Sequence, residues 1–369
     1  MQVGAESEVA VVGGGVMGLL TALNLSRAGR RVRLFEQQSV GREASWAGGG
    51  IVSPLYPWRY GAAVGALAAW SQGFYPQLGQ ELFTATGVDP QVCRTGLYWL
   101  DLQDEPQALA WAVGGGRSVQ QVSAELLYSR LPMLGRGFQR GLWMPDLANV
   151  RNPRLLDALR KILLLEGRVE LCEQGAVGSL QANPEGGMSF RAGGRKWSYE
   201  CVVLAAGAWS GSLLAVLGLS LPVEPVKGQM ILYKCAKDFL PAMVLAKGRY
   251  AIPRKDGHIL VGSTLEHAGF DKTPTEEALA SLKASAEELL PGLADAEVVG
   301  HWAGLRPGSP DGVPFIGEVP QYPGLWLNCG HYRNGLVLAP ASCQLLVDLM
   351  LGRDPIVDPT PYSPAGRLS

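Results

Sequence analysis

Charge is scarce in this chain of 369 residues: Asp, Glu, Lys and Arg together make up 18%, against about a quarter in an average soluble domain. The 32 basic residues nearly cancel the 33 acidic ones, leaving a net charge of −1, and no block of lysine and arginine stands out. The electrostatic footprint of a nucleic-acid or anionic-membrane binder is therefore missing, and neither partner is expected. No uninterrupted apolar run reaches the ~18 residues of a membrane span. The apolar region near the start follows acids and carries Thr21, Asn24 and Ser26 in its second half, which is unlike a signal peptide. A cytoplasmic location is the expectation. The six cysteines (Cys93, Cys172, Cys201, Cys235, Cys329, Cys343) form no C-x-x-C pair, so neither a zinc site nor a redox dithiol is indicated and no metal is expected. They read as small core residues in a reducing compartment. Only four histidines exist, His258, His267, His301 and His331, and none stands in a triad-like group.

What the chain does contain is apolar residues, 47% of the total, over a length sufficient for two domains. The stretch "EVAVVGGGVMGLLTALNLSRAGRRVRLFEQ" has a regular plan. Val9 to Val12 form a continuous apolar run, as expected of a strand buried on both faces. Gly13, Gly15 and Gly18 follow at G-x-G-x-x-G spacing, then leucines at helical spacing, then a second strand from Val32 to Phe35 that ends at Glu36. Gly13 permits the tight turn, Gly15 lets backbone approach a pyrophosphate, and Gly18 lets helix and strand pack closely. The helix start offers free N–H groups to phosphate, and Glu36 stands where a ribose diol needs acceptors. This is a dinucleotide-binding unit, and an acid at the second strand end argues against a 2′-phosphate. It does not by itself separate NAD from FAD.

The next stretch, "GREASWAGGGIVSPLYP", turns irregular where a nicotinamide enzyme would normally continue with alternating strands and helices. Its glycines read as backbone following more of an extended ligand. Downstream, "SYECVVLAAGAWSGSLLAVLG" gives another apolar strand, Cys201 to Ala206, and a turn at Gly207. Near the end, "GHYRNGLVLAP" places Arg333 between the apolar strand "GLWLNC" and an apolar helix starting near Gly335. Arginine keeps its proton, so an anion must satisfy it there. That anion is either an internal carboxylate or a ligand.

The blocks "VVGGGVMG", "REASWAGGGI", "VVLAAGAWS", "PVKGQM", "HWAGLRPGSPDGVPFIG" and "GHYRNGLVLAP" together resemble the FAD-dependent amino-acid oxidases of the D-amino-acid oxidase superfamily. Within that superfamily the chain is most similar to the glycine oxidase family, flavoenzymes associated with thiamine biosynthesis. The likeness runs from about Glu8 to Gly352 and is weakest between Thr84 and Asn149. It implies an α/β fold with two intertwined domains. An FAD-binding, Rossmann-like domain would take residues 1–83, 145–225 and 297–369. A substrate-binding domain, built on an antiparallel sheet with helices, would take 84–144 and 226–296. In it "RYAIPRKDGHILVGST" reads as a hairpin turning at Lys255-Asp256-Gly257, and "TEEALASLKASAEELLPGL" as an amphipathic helix. "VGGGRS", from Val113 to Ser118, reads as a surface loop.

The resemblance also implies where ligands sit. Cofactor contacts would come from Gly13, Gly15, Val16, Met17 and Gly18 at the first turn, and from Glu36 and Gln37 at the second strand end. Arg42, Ala44, Ser45, Gly49, Gly50 and Ile51 would supply the glycine-rich loop, with Val177 and Gly207 further on. His331, Tyr332, Arg333, Asn334, Gly335, Leu336 and Val337 would complete the set. Pro340 is expected near the first turn of the final helix, where its missing N–H costs little. FAD is expected to be non-covalent, since no cysteine lies near Leu305 and Arg306, where related sarcosine oxidases attach it.

Arg333 would hold a substrate carboxylate with two parallel hydrogen bonds. Arg306 would stand near the same pocket, its alternative being a loop pair with Asp311. Tyr250 would donate its hydroxyl to the carboxylate or else be a core tyrosine. Pocket volume would depend on the segment from Thr84 to Asn149 and on residues such as Met230 and Leu265.

The implied reaction is oxidative deamination of glycine, with sarcosine or small D-amino acids as further substrates. A free amine drives hydride from its α-carbon to flavin N5. The imine hydrolyses to glyoxylate and ammonia, and O2 becomes H2O2. No general base is needed, and supply of the glycine imine for the thiamine thiazole is the implied role. The alternative is a D-amino-acid dehydrogenase passing electrons to a quinone, which would need a membrane-contacting patch. A catalytically silent flavin module is a third reading, and the pair Arg306 and Arg333 argues against it. A homo-oligomer, such as a tetramer, is the expected assembly.

Overall fold

The computed structural model describes residues 8–369; residues 1–7, which open the first segment of the expected cofactor domain, lie outside the described residues. The first strand, Glu8–Val12, is central because nearly every side chain on it is apolar. Val9 and Val11 point into a helical layer, while Ala10 and Val12 point to the opposite face. A strand buried on both faces has no room for polar alternation.

Five further strands flank it in one six-stranded sheet. In order these are Phe315–Glu318, Leu325–Cys329, Cys201–Leu204, Glu8–Val12, Arg31–Phe35 and Val169–Cys172. All neighbours are parallel except the pair Phe315–Glu318 with Leu325–Cys329. Helices Val16–Arg27, Ala62–Thr86, Asn152–Glu166 and Gly335–Leu351 cover one face. A small antiparallel sheet, Gly178–Ala182 to Arg195–Tyr199, covers the other. Phe35 meets Phe190 edge-on there, with ring centres 5.0 Å apart.

The second body is an eight-stranded sheet. The hairpin of Arg249–Pro253 and His258–Gly262 forms as the sequence suggests, closed by Gly257 at φ +86°. Helix Glu276–Leu289 starts at Thr275, whose hydroxyl accepts from the Ala278 N–H, and packs Leu282 and Ala286 against this sheet. One boundary differs from the sequence reading. Strand Glu297–Gly308, assigned to the cofactor side, pairs along its length with Glu224–Lys234 and belongs to the eight-stranded sheet. The reason is non-local: two long strands pair in register, and only afterwards does the chain cross back at Phe315–Glu318.

The final helix carries a second correction. Pro340 lies in its second turn rather than its first. Proline has no N–H to give the carbonyl four residues earlier. The Leu336 carbonyl accepts instead from the Tyr75 hydroxyl, at 2.5 Å, and the Ala341 N–H donates to Ser71 Oγ at 3.0 Å. Both partners come from helix Ala62–Thr86 and are buried. Two side chains thus replace the ladder bonds that the proline disrupts. Tyr75→Phe, which keeps the shape but leaves the Leu336 carbonyl unpaired, is expected to cost about 1–3 kcal/mol, read as a lower denaturant midpoint at unchanged slope.

The run Tyr332–Leu351 is the one among the described residues long and apolar enough to cross a membrane, but 72% of its apolar window is buried in the protein's own core.

Candidate active site

A cavity of about 480 Å³ runs between the two sheets, from the first glycine turn to the final helix. At the first turn the glycines have separate jobs. Gly13 sits at φ +110°, and an added Cβ would lie 2.4 Å from the Ala205 carbonyl oxygen. A Cβ on Gly18 would lie 1.8 Å from the Gly13 carbonyl oxygen, so this residue sets the helix-to-strand packing and is not in the wall. The helix N-terminus opens toward the cavity with the Val16 N–H donating to Ser45 Oγ at 2.9 Å. Glu36 is 7% exposed. Its carboxylate accepts from the N–H groups of Gly14 and Gln38 at 2.8 and 2.9 Å, which leaves lone pairs for a diol.

Gly49 closes on the substrate sheet from this side. An added Cβ on it would lie 3.1 Å from the Tyr250 ring. Arg254, in the hairpin turn, donates to the Gly49 carbonyl at 2.7 Å and to Val150 O and Asn149 Oδ1 at 3.0 Å. Burial lowers its pKa to about 10, so the link between the two bodies stays charged at neutral pH.

At the other end stand the three expected substrate ligands. Arg306 donates to the carbonyls of Lys227 and Thr264 at 3.3 and 3.2 Å and to Ser263 Oγ at 2.7 Å. Burial, then repulsion from Arg333, lowers its pKa, while neighbouring Tyr250 raises it. The alternative partner, Asp311, makes no ion pair with it. Tyr250 is 5% exposed, and the one hydrogen-bond contact of its hydroxyl among the described residues is the Met230 sulfur, at 4.0 Å.

Arg333 departs from the sequence reading. It was expected between two buried elements in need of a counter-ion, yet its side chain is exposed and borders the cavity. The cause is the short 3₁₀ turn Tyr332–Asn334 that precedes the helix, with Tyr332 held at φ +47°, a strained setting for an aromatic residue. Among the described residues, no carboxylate lies within ion-pair distance of Arg306 or Arg333.

His331 is 1% exposed and shares a hydrogen bond of 3.0 Å with Ser342 Oγ. Burial pushes its pKa down to about 3, so the ring is neutral and a poor base.

The expected cofactor contacts converge on this one wall, with two exceptions. Gly18 serves packing, as above. Arg42 is exposed and lies off the wall. Two further expectations fail. Met230 lines the cavity, but Leu265 is 49% exposed and lies off the wall. Among the described residues, none from 56 to 151 touches the cavity. That segment forms helix Ala62–Thr86 behind the six-stranded sheet, then the last three strands of the eight-stranded sheet with their helices. Ser263, Leu55 and Trp209 are wall residues that the sequence reading missed. Ser263 was within reach, because it directly follows His258–Gly262, the hairpin strand paired with the one that carries Tyr250.

Three buried polar atoms in the wall lack a protein partner: the acceptors Asn152 Oδ1 and Asn328 Oδ1 and the donor Asn334 Nδ2. Bare backbone also faces the cavity at Gly207, where an added Cβ would meet nothing within 4 Å. A long ligand with a diol, phosphates and a ring bearing both donors and acceptors suits this donor set. The sequence model for FAD dependent oxidoreductases matches residues 8–349. The chain belongs to that family.

Its relatives are close. A glycine oxidase of Pseudomonas putida is 63% identical over 98% of this chain and 99% of its own length. A glycine oxidase of Pseudomonas aeruginosa is 64% identical over 98% and 99%. The crystal structure of glycine oxidase from Geobacillus kaustophilus, 31% identical, superposes with a TM-score of 0.92 over 98% of both chains. For an FAD-dependent oxidoreductase the geometry assigns the ends of the cavity. Glu36 and the Val16–Ser45 cradle would hold the nucleotide half. Asn334, Gly335 and the helix behind them would face the flavin half, where the positive helix end favours developing negative charge.

Proposed function

We propose that this oxidoreductase is an amino-acid oxidase that deaminates glycine, and also sarcosine or small D-amino acids. The observation that carries the reading is a pair of guanidinium groups, Arg306 and Arg333, on one cavity beside the Tyr250 hydroxyl, with no carboxylate among the described residues to pair them. An α-carboxylate from outside fits that vacancy in charge and in hydrogen-bond geometry. The names of the relatives point the same way.

In this reading Arg333 and Arg306 bind and orient the carboxylate, and Tyr250 donates a third hydrogen bond. The substrate amine reacts unprotonated, because its lone pair is what lets hydride leave Cα. His331, with its pKa pushed down to about 3 by burial, is a poor base for removing an amine proton. Bound FAD would supply the two-electron oxidant for the substrate Cα–H bond, with O2 as the final acceptor, reduced to H2O2. The imine then hydrolyses to glyoxylate and ammonia, or leaves as the glycine imine that thiazole formation in thiamine synthesis consumes. The cofactor is held without a covalent bond. Leu305 and Arg306 border the cavity without a cysteine nearby, and burial raises the Cys329 thiol to about 12, which keeps it a poor nucleophile. A homo-oligomer in the cytoplasm, with no membrane or nucleic-acid partner, completes the proposal.

The test is oxygen consumption by the FAD-loaded protein with glycine, sarcosine, D-alanine and D-proline in parallel. Uptake with glycine and stoichiometric peroxide is the expected result. Flavin bleaching without oxygen uptake would instead assign a dehydrogenase with another acceptor.

A further inference from the structure

The stretch "PVKGQM" lies on strand Glu224–Lys234, and the clamp described above leaves half of it without a task. Alternate residues of a strand face opposite ways. Met230 faces the cavity, and Gly228 faces Arg306. An added Cβ at Gly228 would lie 2.2 Å from the Arg306 guanidinium nitrogens. Lys227 and Gln229, 2% and 0% exposed, face away.

Behind the strand these two side chains meet the segment that follows the hairpin. Lys227 Nζ lies 3.2 Å from Asp271 and 3.8 Å from Glu266. Gln229 Nε2 donates to both oxygens of Glu266, at 3.0 and 3.2 Å. Its Oε1 accepts from the Thr275 N–H and from His301 Nε2, both at 3.0 Å. The Gln229 N–H donates to Thr264 Oγ1 at 2.9 Å, and that hydroxyl donates on to Glu266. The backbones of Lys227 and Glu266 exchange bonds of 2.9 and 3.0 Å.

The network ends on Arg306. Its hydrogen-bond acceptors are the carbonyls of Lys227 and Thr264 and the Ser263 hydroxyl. Two of the three, Lys227 and Thr264, are held from behind by Glu266, through the backbone bridge to Lys227 and through its carboxylate on the Thr264 hydroxyl. An arginine side chain has several rotatable bonds, and a preset guanidinium spares the ordering cost when an anion binds. We propose that Glu266, acting through Lys227, Gln229 and Thr264, is the positioning residue that presets Arg306 for the substrate carboxylate. The inference rests on the clamp reading of Arg306.

Glu266 is suited to a test because its side chain is 31% exposed, so truncation buries no orphan charge of its own. In FAD-loaded Glu266→Ala, the KM for glycine and the Kd for acetate, read from the flavin absorbance change, are expected to rise about 10-fold, the lower range for a weakened charged hydrogen bond. The kcat should change less than about 2-fold, because uniform binding is what is lost, and Glu266→Gln should recover part of the affinity. Arg306→Ala serves as the reference and should weaken acetate in its own right. If Arg306→Ala weakens acetate while Glu266→Ala does not, the positioning role is wrong. If Arg306→Ala leaves acetate binding unchanged, the clamp reading fails and takes this inference with it. A loss of kcat, flavin content and melting temperature together in Glu266→Ala would mark a structural role and overturn the proposal.

Discussion

Arg333→Ala is expected to raise the apparent KM for glycine about 30-fold, or ~2 kcal/mol, the low end of the cost of removing one member of a desolvated charge pair. The low end applies for two reasons. Arg333 is exposed, so its desolvation is incomplete, and in the proposed clamp Arg306 would remain to hold one carboxylate oxygen. No protein group is orphaned by the change, because none pairs with the guanidinium among the described residues. The effect should therefore appear in affinity and leave melting temperature alone. Arg333→Lys should recover only part of it, since a point charge cannot make the parallel bonds of a planar fork. Steady-state kinetics and acetate titration read the result, and an unchanged KM would remove Arg333 from the clamp.

Gly18→Ala is expected to yield protein that purifies largely without flavin. The new methyl carbon would be placed 1.8 Å from the Gly13 carbonyl oxygen and 3.4 Å from Val11 Cγ1. Neither can yield easily, because the Gly13 N–H is bonded to the Phe35 carbonyl at 2.8 Å and Val11 is fully buried. Helix and strand must move apart, at a cost of about 3 kcal/mol or more, the upper range for overpacking. The displacement falls on the turn that would cradle the FAD phosphates. The matched control is Gly65→Ala in helix Ala62–Thr86, where an added Cβ meets nothing within 4 Å and helix propensity favours alanine by about 1 kcal/mol. Flavin absorbance per mole of protein reads both variants, and full loading of Gly18→Ala would refute the packing role.

The opening unit was legible because its causes are local. A continuous apolar run, a glycine turn, a helix and an acid follow one another within the first forty residues, and each element's partner is its neighbour in sequence. Strand Glu297–Gly308 was misplaced because its partner, Glu224–Lys234, lies some seventy residues earlier and nothing in either sequence announces the pairing. Arg333 was found as a residue but misread as buried, since apolar flanks say nothing about the turn that swings a side chain out. The glycine and proline signals behaved unequally. Gly257 turned the hairpin as expected, whereas Pro340 sits deeper in its helix than its usual place, tolerated only because Ser71 and Tyr75 arrive from another element. The network behind Arg306 was invisible for the same reason. Lys227, Gln229, Glu266 and His301 become neighbours only after three strands and a loop have assembled.

Because, among the described residues, none between 56 and 151 borders the cavity, the chain separates what it recognises from what holds it up. Drift or insertion at the exposed positions of that stretch, away from Ser71, Tyr75, Asn149 and its core residues, would alter the outline of the molecule and spare its chemistry. Selection for a bulkier amine would act on a few scattered positions, such as Leu55, Met230, Tyr250 and Ser263. Divergence among relatives in the intervening segment would then record ancestry, and divergence at those four positions would record diet.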